Sequence, residues 1–151
     1  MQNMALLMGS FHEAGNLHNI AIVYDKLGEY EQALNYYQQA LASSQRLGEQ
    51  KGVTLNNLGT FYHQFNEYQQ ALESYQQALA IFQEMGDRKK ERVTLNNLGL
   101  TYEKLGESKQ ATDYYQQALV ISQEIGDKAT EEDSSSRITL KLEPLLFQAP
   151  P

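Results

Sequence analysis

Apolar residues recur along the chain at the spacing of amphipathic helices. In one stretch they fall at i, i+3, i+7 and i+10, on one side of a helix with 3.6 residues per turn: Leu55, Leu58, Tyr62 and Phe65. The next stretch has the same period in Tyr68, Ala71, Leu72, Tyr75, Ala78, Leu79 and Phe82. Extended along the chain, this pattern predicts six helices, over residues 10–27, 30–47, 51–65, 68–85, 88–105 and 108–125.

The apolar pattern is part of an internal repeat. The strings "YYQQAL", "SYQQAL" and "YYQQAL" place Tyr37, Tyr75 and Tyr115 at intervals of 38 and then 40 residues. Three further marker sets keep the same intervals: Leu17, Leu55 and Leu95; Gly28, Asn66 and Gly106; Gly48, Gly86 and Gly126. Because four sets share one register, we predict a solenoid of small helical units stacked on one another.

Turns and close contacts within each unit are also indicated by residue type. Gly28, Asn66 and Gly106 suit the left-handed conformation that ends a helix, and we expect Gly48, Gly86 and Gly126 to end the second helix of each unit in the same way. Small residues recur on both helices where bulky side chains would hold the two apart: Ala21, Gly59 and Gly99 on the first, and Ala33, Ala71 and Ala111 on the second.

These residues together resemble the tetratricopeptide repeat family. The second unit reads Leu55, Leu58, Gly59, Tyr62, Ala71, Tyr75 and Ala78, and the third reads Leu95, Leu98, Gly99, Tyr102, Ala111, Tyr115 and Ala118. The first reads Leu17, Ile20, Ala21, Tyr24, Ala33, Tyr37 and Ala40. The resemblance implies an all-α fold, a right-handed α-solenoid of three antiparallel helix pairs with partial flanking units. The long period is similar to the subgroup that includes kinesin light chains and bacterial and cyanobacterial arrays.

The repeat register divides the chain into segments. We expect three units over residues 10–48, 49–86 and 87–127, and a remnant of a preceding repeat or an N-terminal cap over residues 1–9. Residues 128–151 are expected to form a degenerate cap or a flexible tail. An alternative for that segment is an apolar peptide, "RITLKLEPLLFQAPP", that occupies a groove of its own chain or of a neighbour.

Composition excludes several function classes. The net charge of −7 repels phosphate backbones, so nucleic acid is not expected as a partner. No cysteine is present, no two histidines have metal-binding spacing, and no glycine-rich phosphate loop occurs. We therefore expect no enzyme activity, no metal and no cofactor. The first residues, "MQNMALLMG", lack the features of a signal peptide or a membrane span, so a cytoplasmic location without membrane contact is expected.

The string "VTLNNLG" occurs at 53–59 and again at 93–99, although asparagine is a poor helix former. One interpretation is that the amides face a partner, since each offers donors and an acceptor to an extended peptide. The other is that Asn57 and Asn97 bond to the backbone of the adjacent repeat and only rigidify the solenoid. Family resemblance implies a ligand surface on the first helices: His18, Asn19, Ile22, Asp25, Asn56, Asn57, Thr60, His63, Asn96, Asn97, Leu100 and Glu103.

The resemblance also implies a function, that of a non-catalytic scaffold that binds a peptide or protein segment in a concave groove. Chaperone-binding members grip an acidic C-terminus with cations, but the matching positions lack them: His18, Ile22, Asn57, Val93 and Asn97. Two alternatives remain open. The chain could be a self-association module, by stacking of array ends or exchange of its tail as a homo-oligomer. It could also be the regulatory repeat region of a larger signalling or protease-like protein.

Overall fold

The computed structural model describes residues 4–126, except for the side chains of residues 5–7. Within that range the chain forms six α-helices and no strand. Their bounds are α1 Met4–Lys26, α2 Tyr30–Ser43, α3 Gly48–Gln64, α4 Tyr68–Met85, α5 Arg88–Lys104 and α6 Ser108–Ile125. The expectation of a cap or tail over residues 128–151 lies outside the described residues.

Successive helices pair into hairpins, and the chain divides into two compact units. The first unit runs to Ile81 and contains α1, α2, α3 and most of α4. The second unit starts at Phe82, inside α4, and contains α5 and α6. We call α1–α2, α3–α4 and α5–α6 the first, second and third hairpins.

The turn inside each hairpin has the conformation expected from the sequence. Gly28, Asn66 and Gly106 all have positive φ, at 77°, 61° and 77°. Asn66 is the only non-glycine residue with positive φ in the described range, and asparagine is among the few residues that adopt this conformation at modest cost. Three short left-handed turns therefore fold each first helix back onto its second.

Two helix ends differ from the predicted bounds. Helix α1 starts at Met4 and continues through Gly9 without a break, whereas the sequence predicted a start at residue 10. Helix α2 ends at Ser43, and Gly48 starts α3 where it was expected to end α2. Ser43 stands where the later hairpins have Ile81 and Ile121, so the last turn of α2 lacks an apolar anchor.

In the second and third hairpins the two helices make a close contact at a glycine. A β-carbon built on Gly59 would lie 2.6 Å from the ring of Tyr75, and one on Gly99 would lie 2.5 Å from the ring of Tyr115. Carbon atoms in ordinary contact are about 3.5–4.0 Å apart. The tyrosine rings therefore lie flat over glycine, and the predicted role of these small residues is confirmed.

The first and second hairpins pack through an apolar cluster formed by Ala21, Ala33, Tyr37, Leu58 and Phe61. Phe61 of α3 meets Tyr37 of α2 edge to face, with ring centroids 5.9 Å apart. Such aromatic pairs contribute about 0.5–1.5 kcal/mol beyond the area they bury. Large side chains on α3 therefore fill the space left by small side chains on α1 and α2.

A polar contact accompanies this apolar cluster. His18 of α1 is 6% exposed, and its two ring nitrogens lie 3.1 Å from the Thr54 hydroxyl and 3.0 Å from the Asn57 amide nitrogen. Since an amide nitrogen only donates, Asn57 donates to His18 Nε2, and the proton of the ring is on Nδ1. Burial lowers the pKa of His18. The neutral ring is thus a hydrogen-bonded part of the contact between α1 and α3.

Polar side chains order the start of α5 in the third hairpin. Asp87 accepts a hydrogen bond from the backbone N–H of Lys90 at 3.1 Å, which caps the helix. Lys90 also bonds to this carboxylate and holds the pKa of Asp87 below its usual range. Arg88 joins α5 to α6 through Glu124, with its Nε 3.1 Å from the carboxylate. These side chains are partly exposed to solvent, so the ion pairs add little to the stability of the hairpin.

We predict that Gly59→Ala destabilises the protein by about 1–3 kcal/mol, because the new methyl group overlaps the Tyr75 ring. Gly15→Ala is the matched control. Gly15 also lies within a helix, but a β-carbon there meets nothing within 4 Å. Alanine at position 15 should be neutral or stabilise the protein by up to about 1 kcal/mol. Urea unfolding of the two variants measures the difference, and equal free energies of unfolding would contradict it.

A second prediction concerns pH. Burial makes folded His18 bind a proton less readily than the unfolded chain, in which its pKa is near 6.5. The free energy of unfolding should therefore fall as the pH falls below 6.5, by at most about 1.4 kcal/mol per pH unit for this residue. His18→Asn is the matched variant, since asparagine occupies the corresponding positions 56 and 96. Urea unfolding between pH 7 and 5 should show that the free energy of unfolding falls less steeply with falling pH in that variant than in the original chain. The same dependence on pH in both proteins would contradict the prediction.

Candidate binding surface

A stripe of polar side chains follows one side of α3. Asn56, Thr60 and His63 lie at i, i+4 and i+7, and all three are partly exposed. Leu55 and Leu58, on other sides of the same helix, are buried. The helix therefore uses its leucines for packing and keeps the polar stripe at the surface.

The second helix of the hairpin contributes a hydroxyl group to this stripe. The Tyr75 ring is buried, but its hydroxyl lies 3.0 Å from the hydroxyl of Thr60. Thr60 also donates to the backbone carbonyl of Asn56 at 3.2 Å, so Tyr75 is the donor between the two hydroxyls. Burial raises the pKa of Tyr75 to about 12, which keeps the phenol protonated at neutral pH. Thr60 is thereby held in one orientation on the surface of α3.

The third hairpin repeats this arrangement with different chemistry. Asn96 and Leu100 are partly exposed on α5, and Glu103 is exposed one turn further on. The Tyr115 hydroxyl donates to the Glu103 carboxylate at 2.8 Å. This stripe therefore combines an amide, an apolar group and a carboxylate that is already hydrogen-bonded within the hairpin.

The first hairpin has its own version of the stripe on α1. Ile22 is half-buried on α1, and Asn19 is exposed beside it. Burial raises the pKa of Asp25 above its usual range. Burial and, to a smaller extent, the charge of Asp25 raise the pKa of Tyr37 to about 12. The acid and the phenol occupy the same repeat positions as Glu103 and Tyr115.

His18 and Asn57 were predicted as ligand contacts but bond to each other. That arrangement resembles the alternative interpretation, in which Asn57 contacts the adjacent repeat, except that its partner is a side chain and not the backbone. Thr54 completes the contact, and sequence reasoning assigned it no role. The signal was present in the sequence, because Thr and Asn three residues apart recur as Thr94 and Asn97.

Asn96 has an unusual environment for a surface amide. Its side-chain oxygen is buried and has no hydrogen-bond partner among the described residues. A buried acceptor without a partner costs about 1–3 kcal/mol. Asn96 is therefore a position where an added donor, from water or from a ligand, would be stabilising.

The tyrosine hydroxyls are the functional groups that sequence reasoning missed. Tyr75 and Tyr115 were assigned to the core because they recur at packing positions, and their rings are buried there. Only the structure places their hydroxyls on Thr60 and Glu103 of the first-helix stripe. A recurring tyrosine on the second helix, opposite a polar residue on the first, is the sequence signal for such a contact.

Two searches of the described residues bear on other kinds of site. No group of three or more metal-binding side chains lies close enough together there to hold a metal ion. None of the helices in that range combines the length and the apolar character needed to cross a membrane.

Solved structures with similar folds are helical-repeat proteins. The N-terminal domain of stress-induced protein-1 from C. elegans is 14% identical, with a TM-score of 0.72 over 85% of this chain and 96% of that chain. Aspartyl phosphate phosphatase F from Bacillus subtilis is 22% identical, with a TM-score of 0.79 over 85% of this chain but only 34% of that chain. BtubC from P. vanneervenii is 20% identical, with a TM-score of 0.66 over 91% of this chain and 66% of that chain. At these identities the likeness establishes the fold alone.

The comparison of sequences identifies the family. A search of curated proteins finds no significant match. The tetratricopeptide repeat model, in contrast, matches residues 12–84 and again residues 50–124, which together cover most of the chain. The all-α helical-repeat class predicted from the sequence is confirmed by this match and by the similar structures, and the chain belongs to the tetratricopeptide repeat family.

Proposed function

We propose that this protein is a non-catalytic scaffold that binds an extended peptide segment along the first-helix stripes. Membership of the tetratricopeptide repeat family supports the coarser part, a repeat module for protein interaction. The finer part, a peptide on these residues, is supported by the stripe of Asn56, Thr60 and His63. These three side chains remain partly exposed on α3 while the leucines around them are buried.

The chemistry of the stripes favours an uncharged, extended ligand. Amides and hydroxyls offer both donors and acceptors, so they can pair with peptide backbone groups whatever the side chains of the ligand are. Ile22 and Leu100 add apolar contacts at the corresponding positions of the first and third hairpins. Each hydrogen bond contributes about 0.5–1.5 kcal/mol, so micromolar binding needs several at once.

An acidic C-terminal tail is not the expected ligand. The positions that match the carboxylate-binding residues of chaperone-binding relatives carry no lysine or arginine: His18, Ile22, Asn57, Val93 and Asn97. His18 is also neutral and hydrogen-bonded to Asn57. The carboxylates Asp25 and Glu103 lie at equivalent positions on two stripes and would repel an acidic peptide.

We predict that changing Asn56→Ala together with His63→Ala, both on the α3 stripe, weakens peptide binding by about tenfold or more, since the hydrogen bonds of two side chains are lost. The probe is a displayed library of random twelve-residue peptides, selected on the 151-residue chain. Calorimetry with the best enriched peptide then gives Kd for the original chain and for the variant.

Val120→Ala is the control for that experiment. Val120 is exposed on α6, a second helix, so its loss should leave Kd unchanged. Thermal unfolding should be nearly the same for all three proteins. Equal Kd values for the original chain and the double variant would place the ligand on another surface, and a library without enriched peptides would contradict the peptide-binding function.

A further inference from the structure

The first hairpin exposes apolar side chains at positions that are buried in the second hairpin. A shift of 38 residues maps Ile20 onto Leu58. The same shift maps Val23 onto Phe61. Leu58 and Phe61 are each 5% exposed, because they pack on the first hairpin, whereas Ile20 is 38% exposed and Val23 is 55% exposed.

Polar residues follow the same correspondence. The shift maps Asn16 onto Thr54 and Asn19 onto Asn57, which are the two residues that bond to His18. Both Asn16 and Asn19 are exposed. On α2, the half-buried Leu34 corresponds to the buried Leu72 of α4. We name this set the leading surface: Asn16, Asn19, Ile20, Val23 and Leu34. It has the residue pattern of a hairpin-to-hairpin contact, and its side chains are exposed or, for Leu34, half-buried.

The residues that cover the corresponding surface of the second hairpin indicate which side chains a partner of the leading surface needs. They are Ala21, Ala33 and Tyr37 of the first hairpin, and their counterparts in the third hairpin are Gly99, Ala111 and Tyr115. All three of those residues are buried, so the third hairpin of a second copy offers them to no partner. The leading surface of a second copy, in contrast, is exposed.

The leading surface is suited to pairing with itself. Its amides are both donors and acceptors, and its apolar side chains are the same on both copies. Its border is positive at Lys26, at the end of α1, and negative at Glu29, which directly precedes α2, and at Glu31 of α2. A two-fold arrangement with α1 of one copy against α2 of the other therefore pairs opposite charges. We propose that two copies of this chain form a symmetric dimer through their leading surfaces.

Sedimentation velocity tests this proposal on the full 151-residue chain, over concentrations from about 1 µM to 1 mM, where weak dimers dissociate. We expect a monomer–dimer equilibrium. Val23→Glu should raise its Kd by more than about tenfold, because each copy then buries a carboxylate in an apolar contact. Both copies carry that change in a symmetric contact, which strengthens the effect.

Val120→Glu is the matched control, since Val120 is 52% exposed. Its counterparts Ala42 and Ala80 are exposed in the earlier hairpins, so this position takes no part in contacts between hairpins. The dimer should keep its Kd in the control. A chain that stays monomeric, a dimer that is unaffected by Val23→Glu, or assemblies that grow beyond two copies would each overturn the proposal.

Discussion

The contact between a glycine on the first helix and a tyrosine on the second determines much of this structure. The ring of Tyr75 lies against Gly59, at a distance that leaves no room for a side chain. This close approach buries the ring, yet the phenol is long enough for its hydroxyl to reach Thr60 on the neighbouring side of the helix. One steric constraint therefore sets the helix spacing and also positions a polar group on the surface.

The contact between the first and second hairpins follows a related rule of complementary sizes. Alanines and one tyrosine on the first hairpin accept Leu58 and Phe61 of the second, as expected from the volume constraint of close packing. The polar contact of His18 with Thr54 and Asn57 fixes the register of the two hairpins, because a shift of one residue would bury unpaired donors. Asn57 of the first "NNLG" string thus has a structural role as well as a proposed role in binding.

The periodic features of the fold could be predicted from the sequence, because they depend on local residue type. Helix bounds, left-handed turns at Gly28, Asn66 and Gly106, and small residues at the helix contacts all follow from spacing and backbone sterics. The early end of α2 at Ser43 could not be predicted in this way. Gly48 is present where a helix end was expected, but Ser43 replaces the isoleucine that the later hairpins have in the last turns of the second helix. The direction of a side chain on the boundary between two helix faces is likewise a tertiary property, which is why His18 was assigned to a ligand surface.

Asn56 and Asn96 lie at the position that His18 occupies in the first hairpin. A side chain at this position can bond to the neighbouring hairpin or take part in the proposed binding. In the first hairpin the side chain at that position, His18, is hydrogen-bonded to Thr54 and Asn57 of α3. In the third hairpin the amide oxygen of Asn96 is buried without a partner among the described residues, and its unmet hydrogen bond is a cost that a bound peptide group could remove. The same repeat position therefore stabilises a contact between hairpins as His18, and carries an acceptor without a partner among the described residues as Asn96.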